Sequence, residues 1–276
     1  MSFKTILAII GTEQSEYDIS RAIDLSTSLS AHLSILILGV AIPPMTADYP
    51  VASIWLEQRE EQINGLRNVQ VQAEKMCLSY DVSFDIEYLY DDGFILASNV
   101  AMRALYADVV IVGDGVRTDG ELRKTVVAAT VFDAHASLLM LPTSRNASLK
   151  PRNILLAWNS RAEAASAAKA AMGLMTAADI VHITIVDPDD AYWKNGGEPG
   201  ADIATFLVRH GVNAVVDQLA SGGRAIEEVL EQHALEVGSD FIVMGAYGHT
   251  RLRERLFGGV TASILKGCKF PVFLAR

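Results

Sequence analysis

The stretch from Gly245 to Thr261 contains the residues best suited to chemistry. It follows the apolar run Phe241–Met244 and carries Gly245, Gly248, Gly258 and Gly259 before Val260 and Thr261. Gly245 and Gly248 lack a Cβ, so the chain can turn there and bring backbone amides against a ligand. Gly258, Gly259 and Thr261 then put free N–H groups and a hydroxyl at the start of a helical stretch, which is where an anion is best received. Between the second and third glycines lie His249, Arg251, Arg253 and Arg255. Of these, His249 and Arg251 stand nearest Gly248 and are the first choices for meeting phosphate charge. Taken singly, each glycine is a turn and each arginine a solvated loop residue. Taken together, as Gly-x2-Gly-x9-Gly, their spacing is more specific than any one of them.

Other chemistries find less support. There is no Gly-x4-Gly-Lys-Ser/Thr phosphate loop and no Gly-x-Ser-x-Gly nucleophile elbow. The 6 histidines are scattered without an i, i+4 or His-x-Glu pattern, so no metal site built from histidine alone is expected. Cys77 and Cys268 are the 2 cysteines, far apart and without ligand spacing, which fits a reducing compartment and no disulfide scaffold. Asp91, Asp92 and Gly93, like Ser221 to Arg224, read as helix-capping segments. With no general base or water-positioning carboxylate evident near the loop, the chain does not read as an enzyme.

These residues must be held by a scaffold, and the sequence sets out its plan twice. Lys4–Ile10 resembles Arg152–Trp158, and Ala107–Gly113 resembles Ser239–Gly245. Strands are expected near Thr5–Ile10, Leu33–Val40, Val82–Tyr90, Val109–Val112 and Leu138–Leu141. The second half gives Ile154–Trp158, Ile180–Val186, Ala214–Leu219, Phe241–Met244 and Val272–Leu274. Most are short continuous apolar runs, as in parallel strands covered by helices on both faces. Pro142 to Pro151 reads as the linker, giving domains 1–146 and 147–276. The first half has extra residues after its second strand, where Ile54 to Cys77 reads as a long helix.

The 276 residues are 50% hydrophobic and 20% charged, enough for a sizeable core, and the net charge is -10. Such a field repels phosphate backbones and anionic lipid, so neither nucleic acid nor a membrane surface is expected as partner. No apolar stretch approaches the roughly 20 residues that span a bilayer, and the N-terminal run is too short for a signal peptide. A soluble, cytoplasmic chain is expected.

The glycine spacing, placed after a fourth strand and before a last helix, resembles the nucleotide-binding signature of the universal stress protein family. Strand order in both halves is similar too, so the whole chain looks like a tandem member. The resemblance implies an α/β fold of two tandem open, five-stranded parallel-sheet domains with helices on both faces, Rossmann-like and of the adenine nucleotide α-hydrolase type. It also implies ATP or AMP/ADP as ligand, with Mg²⁺ accompanying ATP, and a stress-response or regulatory role. The residues it places at the nucleotide are Ala157, Asn159, Ile185, Val186, Met244, Gly245, Gly248, His249, Arg251, Gly258, Gly259, Val260 and Thr261. Within that set Ile185 and Val186 stand where the family packs the adenine edge. Two positions depart from the family pattern: Asn159 replaces an Asp that approaches the adenosine, and Gly259 replaces a Ser or Thr.

The first half departs further. Val116 takes the place of the second glycine, Val126 and Val127 that of the third pair, Ala129 that of Thr261, and Gly11 that of the Asp. Valine fills the space through which a phosphate would approach and resists a left-handed backbone. The first half is therefore expected to be a scaffold, forming an intrachain pseudo-dimer with the second through their final strands. A homodimer of the whole chain is compatible with this plan. The competing readings are a ligand-free interaction module and, more weakly, a slow nucleotide hydrolase or transferase.

Overall fold

The computed structural model describes residues 3–41, 49–144, 148–188, 198–246, 259–267 and 269–276. The chain divides into two compact units, Phe3–Ala136 and Ser137–Arg276. In the first, β1 (Thr5–Ile10), β2 (His32–Val40), β3 (Phe84–Asp91) and β4 (Val109–Val112) form a parallel sheet in the order β3-β2-β1-β4. The connections are α1 (Ser15–Leu29), α2 (Tyr49–Leu78) and α3 (Gly93–Ala104). After β4 come the short α4 (Asp114–Thr118), α5 (Gly120–Val127) and a π-helical turn at Ala128–Asp133. The Asp92 carboxylate caps α3 by accepting from the Phe94 and Ile95 amides at 2.8 and 3.0 Å, as the local sequence suggests.

The second unit holds β5 (Leu138–Met140), β6 (Asn153–Ala157), β7 (Ile180–Val186), β8 (Ala214–Leu219), β9 (Phe241–Gly245) and β10 (Val272–Ala275). Their order is β5-β10-β9-β6-β7-β8, with β10 to β8 parallel. Helices α6 (Ala162–Ala170), α7 (Met172–Ala177), α8 (Ala201–Arg209), α9 (Ile226–Glu236) and α10 (Val260–Gly267) connect them. β5 falls in this unit, ahead of the segment that reads as the linker, because it pairs antiparallel with β10 in the register Val272↔Met140 to Leu274↔Leu138. β3 ends the sheet of the first unit and β8 that of the second, and both are only half-buried, whereas β4 and β9 are almost entirely buried. That contrast is why the inner strands read as unbroken apolar runs.

The internal repeat has a physical counterpart. Asp108, just before β4, accepts from the amides of Lys4 and Thr5 at 2.6 and 2.9 Å. Asp240, just before β9, accepts from the amides of Arg152 and Asn153 at 3.0 and 3.2 Å. Each carboxylate thus satisfies the N–H groups that open the neighbouring strand of its own sheet, so the same residue recurs in both halves for the same reason. Asp240→Ala should destabilise the protein by about 1 kcal/mol, the usual net value of such bonds. Urea unfolding of wild type and variant checks this.

Candidate functional site

In an open parallel sheet the loops beyond the carboxyl ends of the strands receive ligands. Here β6 and β9 are neighbours, with Ala157 opposite Met244, so the chain leaving β6 and the chain leaving β9 emerge side by side. Gly245 ends β9. A Cβ at Gly245 would lie 2.6 Å from both the Ala164 nitrogen and the Glu163 carbonyl carbon. The glycine is therefore demanded by the close approach of β9 to the first turn of α6. Met244 and Ile185 are buried, at 4% and 1% exposure. Gly200, at φ +88°, lies over Ile185: a Cβ there would stand 2.8 Å from the Ile185 Cδ1. Ala157 and Val186 end their strands half-buried.

At the start of α10, Gly259 has φ +96°, and no atom of the described residues lies within 4 Å of where a side chain would be. Such a backbone angle favours glycine, which explains why the Ser or Thr of the family pattern is absent from this position. Its carbonyl accepts from the Ser263 amide at 3.2 Å, so the helix begins there. Val260 is half-buried and Thr261 buried. Asn159 is exposed, and its Oδ1 accepts from the Arg161 amide at 3.1 Å, tying the side chain to the turn that enters α6. Gly248, His249, Arg251 and Gly258 lie outside the described residues.

The corresponding corner of the first unit is filled by the protein itself. Asp18, on α1, accepts from the Gly115 amide at 3.0 Å and packs against Gly113, where any Cβ would collide with the carboxylate. Val116, Val126, Val127 and Ala129, which align with the glycines and Thr261 of the second half, are core residues of 0–3% exposure. Gly11 has the Gly115 carbonyl oxygen 3.1 Å from its would-be Cβ, leaving little room for a larger residue. Burial, partly offset by the Gly115 hydrogen bond and reinforced by nearby Asp114, pushes the Asp18 carboxyl up to about 6.

The other sequence-derived segment behaves differently from expectation. Ser221 does not cap α9; its amide donates to Asp187 Oδ1 at 2.9 Å, joining the loops after β7 and β8. Hydrogen bonds from Ser221 hold the Asp187 carboxyl below the usual range.

Residues 150–276 match the model of the universal stress protein family, so the family pattern coincides with the half that carries the glycine loop. This half is a universal stress protein family domain. A universal stress protein from Archaeoglobus fulgidus DSM 4304 superposes with a TM-score of 0.64 at 13% identity, covering 98% of this chain and 96% of that one. A functionally unknown protein from Pseudomonas aeruginosa PAO1 gives 0.56 at 16% identity, with 99% and 92% covered. At these identities the likeness is one of fold. No curated protein matches the chain. No helix among the described residues is long and apolar enough to cross a membrane.

Two outcomes are expected of these sites. Gly245→Ala in the universal stress protein domain forces Cβ into the α6 backbone and should cost about 1–3 kcal/mol in denaturant unfolding. Asp18 binds its proton more tightly folded than unfolded, so its contribution to stability is present near pH 4 and lost as pH rises to about 6. Thermal melting of wild type against Asp18→Asn should therefore show the variant gaining on wild type as pH rises from about 4 to about 6, with a constant difference above.

Proposed function

We propose that the universal stress protein domain at residues 150–276 binds an adenine nucleotide, ATP or its relatives AMP and ADP, and that the chain serves a regulatory role in a stress response. The observation that carries this is the contrast between equivalent corners. In the second half Gly259, at the start of α10, is left-handed and has no described residue over it, while in the first half a buried carboxylate already takes the Gly115 amide. The ribose and phosphates would lie against Gly248, Gly258, Gly259 and Thr261, with His249 and Arg251 offsetting the acidic field of the chain and Mg²⁺ riding on the phosphates of ATP. Ala157, Asn159 and Val186 would border the adenosine. Ile185 and Met244 would support it from beneath, since both side chains are buried. The chain is read as a tandem pair, with the first half a permanent scaffold in place of a second subunit; the matched roles of Asp108 and Asp240 support that descent.

A second reading, a ligand-free module acting through protein partners, is favoured by Asn159, whose oxygen is engaged by its own turn. Calorimetric titration of nucleotide-stripped protein with ATP, ADP and AMP separates the two. Heat and a thermal shift are expected, abolished by Gly248→Val and retained by Val116→Ala. No heat at millimolar nucleotide would sink the nucleotide reading in favour of the interaction module, and equal loss in both variants would mean that the working half has been misassigned.

A further inference from the structure

Away from the strand ends, three side chains of metal-binding type converge in the second unit. His182 lies on β7, Asp217 on β8 and His233 on α9, which packs across β7. Register pairs His182 with Val215 and Thr184 with Asp217, so His182 and Asp217 share one face of the sheet, and α9 brings His233 to them. Asp217 Oδ2 stands 2.8 Å from His182 Nδ1 and 2.8 Å from His233 Nε2. The three ligand atoms all lie within 4.8 Å of one another. The imidazoles meet edge to face, with centroids 6.3 Å apart and planes at 83°, so their inner nitrogens approach the carboxylate from different directions. Side-chain exposures of 13%, 25% and 11% keep the cluster sheltered but reachable from solvent.

We propose that His182, Asp217 and His233 bind a Zn²⁺-class divalent ion through His182 Nδ1, His233 Nε2 and an Asp217 oxygen, with water completing a tetrahedron. Two imidazoles and one carboxylate are a donor set suited to this ion, at metal–ligand distances of about 2.0–2.2 Å. Tetrahedral placement needs ligand atoms roughly 3.3 Å apart, so the 2.8 Å contacts must open by a few tenths of an ångström, within reach of side-chain rotation. Each ring's inner N–H proton must move to its outer nitrogen to free a lone pair. For His233 the outer nitrogen, Nδ1, has the Glu236 carboxylate 3.8 Å away, placed to favour that tautomer as an outer-shell partner. The cluster is separate from the nucleotide corner, since His182 sits four positions before the end of β7 at Val186.

The test is a titration of untagged, metal-free and nucleotide-free full-length protein with Co²⁺, followed by its d–d absorption and then by Zn²⁺ displacement. A saturable tetrahedral spectrum at a single equivalent, reversed by Zn²⁺, is expected in the wild type. Asp217→Asn keeps an acceptor for both imidazoles, and circular dichroism reports whether it stays folded; it should bind at least about tenfold more weakly, as should His233→Ala. Glu236→Gln should weaken binding while preserving the spectrum. Absence of a Co²⁺ spectrum in the wild type overturns the proposal, and so does a spectrum unchanged in Asp217→Asn and His233→Ala.

Discussion

Both halves depend on a glycine that ends the strand beside the first strand and leaves no room for a side chain. At Gly245 the space belongs to the backbone of α6, and at Gly113 it belongs to the Asp18 carboxylate. This approach sets how the helix after the first strand sits over the sheet. In the second half a helix backbone fills the gap. Where a carboxylate fills it, the amide of Gly115 already has an anion.

An internal carboxylate in that position is costly, since burial favours its neutral form, and the raised Asp18 titration shows the tension. It is retained among buried valines that align with glycines in the other copy. The first half thus holds a corner whose own carboxylate already takes the backbone amide.

Strands are legible in the sequence where they are buried on both faces and so read as apolar runs; Thr5–Ile10, Val109–Val112 and Ile180–Val186 fall where the pattern puts them. The glycine at 245 was legible as special, but its reason was not, since the Glu163 backbone that excludes a side chain there gives no signal in residue types. Asp18 meets Gly115 across 97 positions and Ser221 meets Asp187 across 34, so neither contact gives a local signal in the sequence. The cluster of His182, Asp217 and His233 draws on two strands and a helix, with no local spacing to betray it.

The outer strand of the first unit carries a last consequence. β3 puts Asp85 and Glu87 at its exposed positions, both beside Arg103. A second molecule offering the same edge would bring like charges into cross-strand register, where they repel. The acids on β3 thereby guard that margin against stacking into open-ended fibres of its own kind.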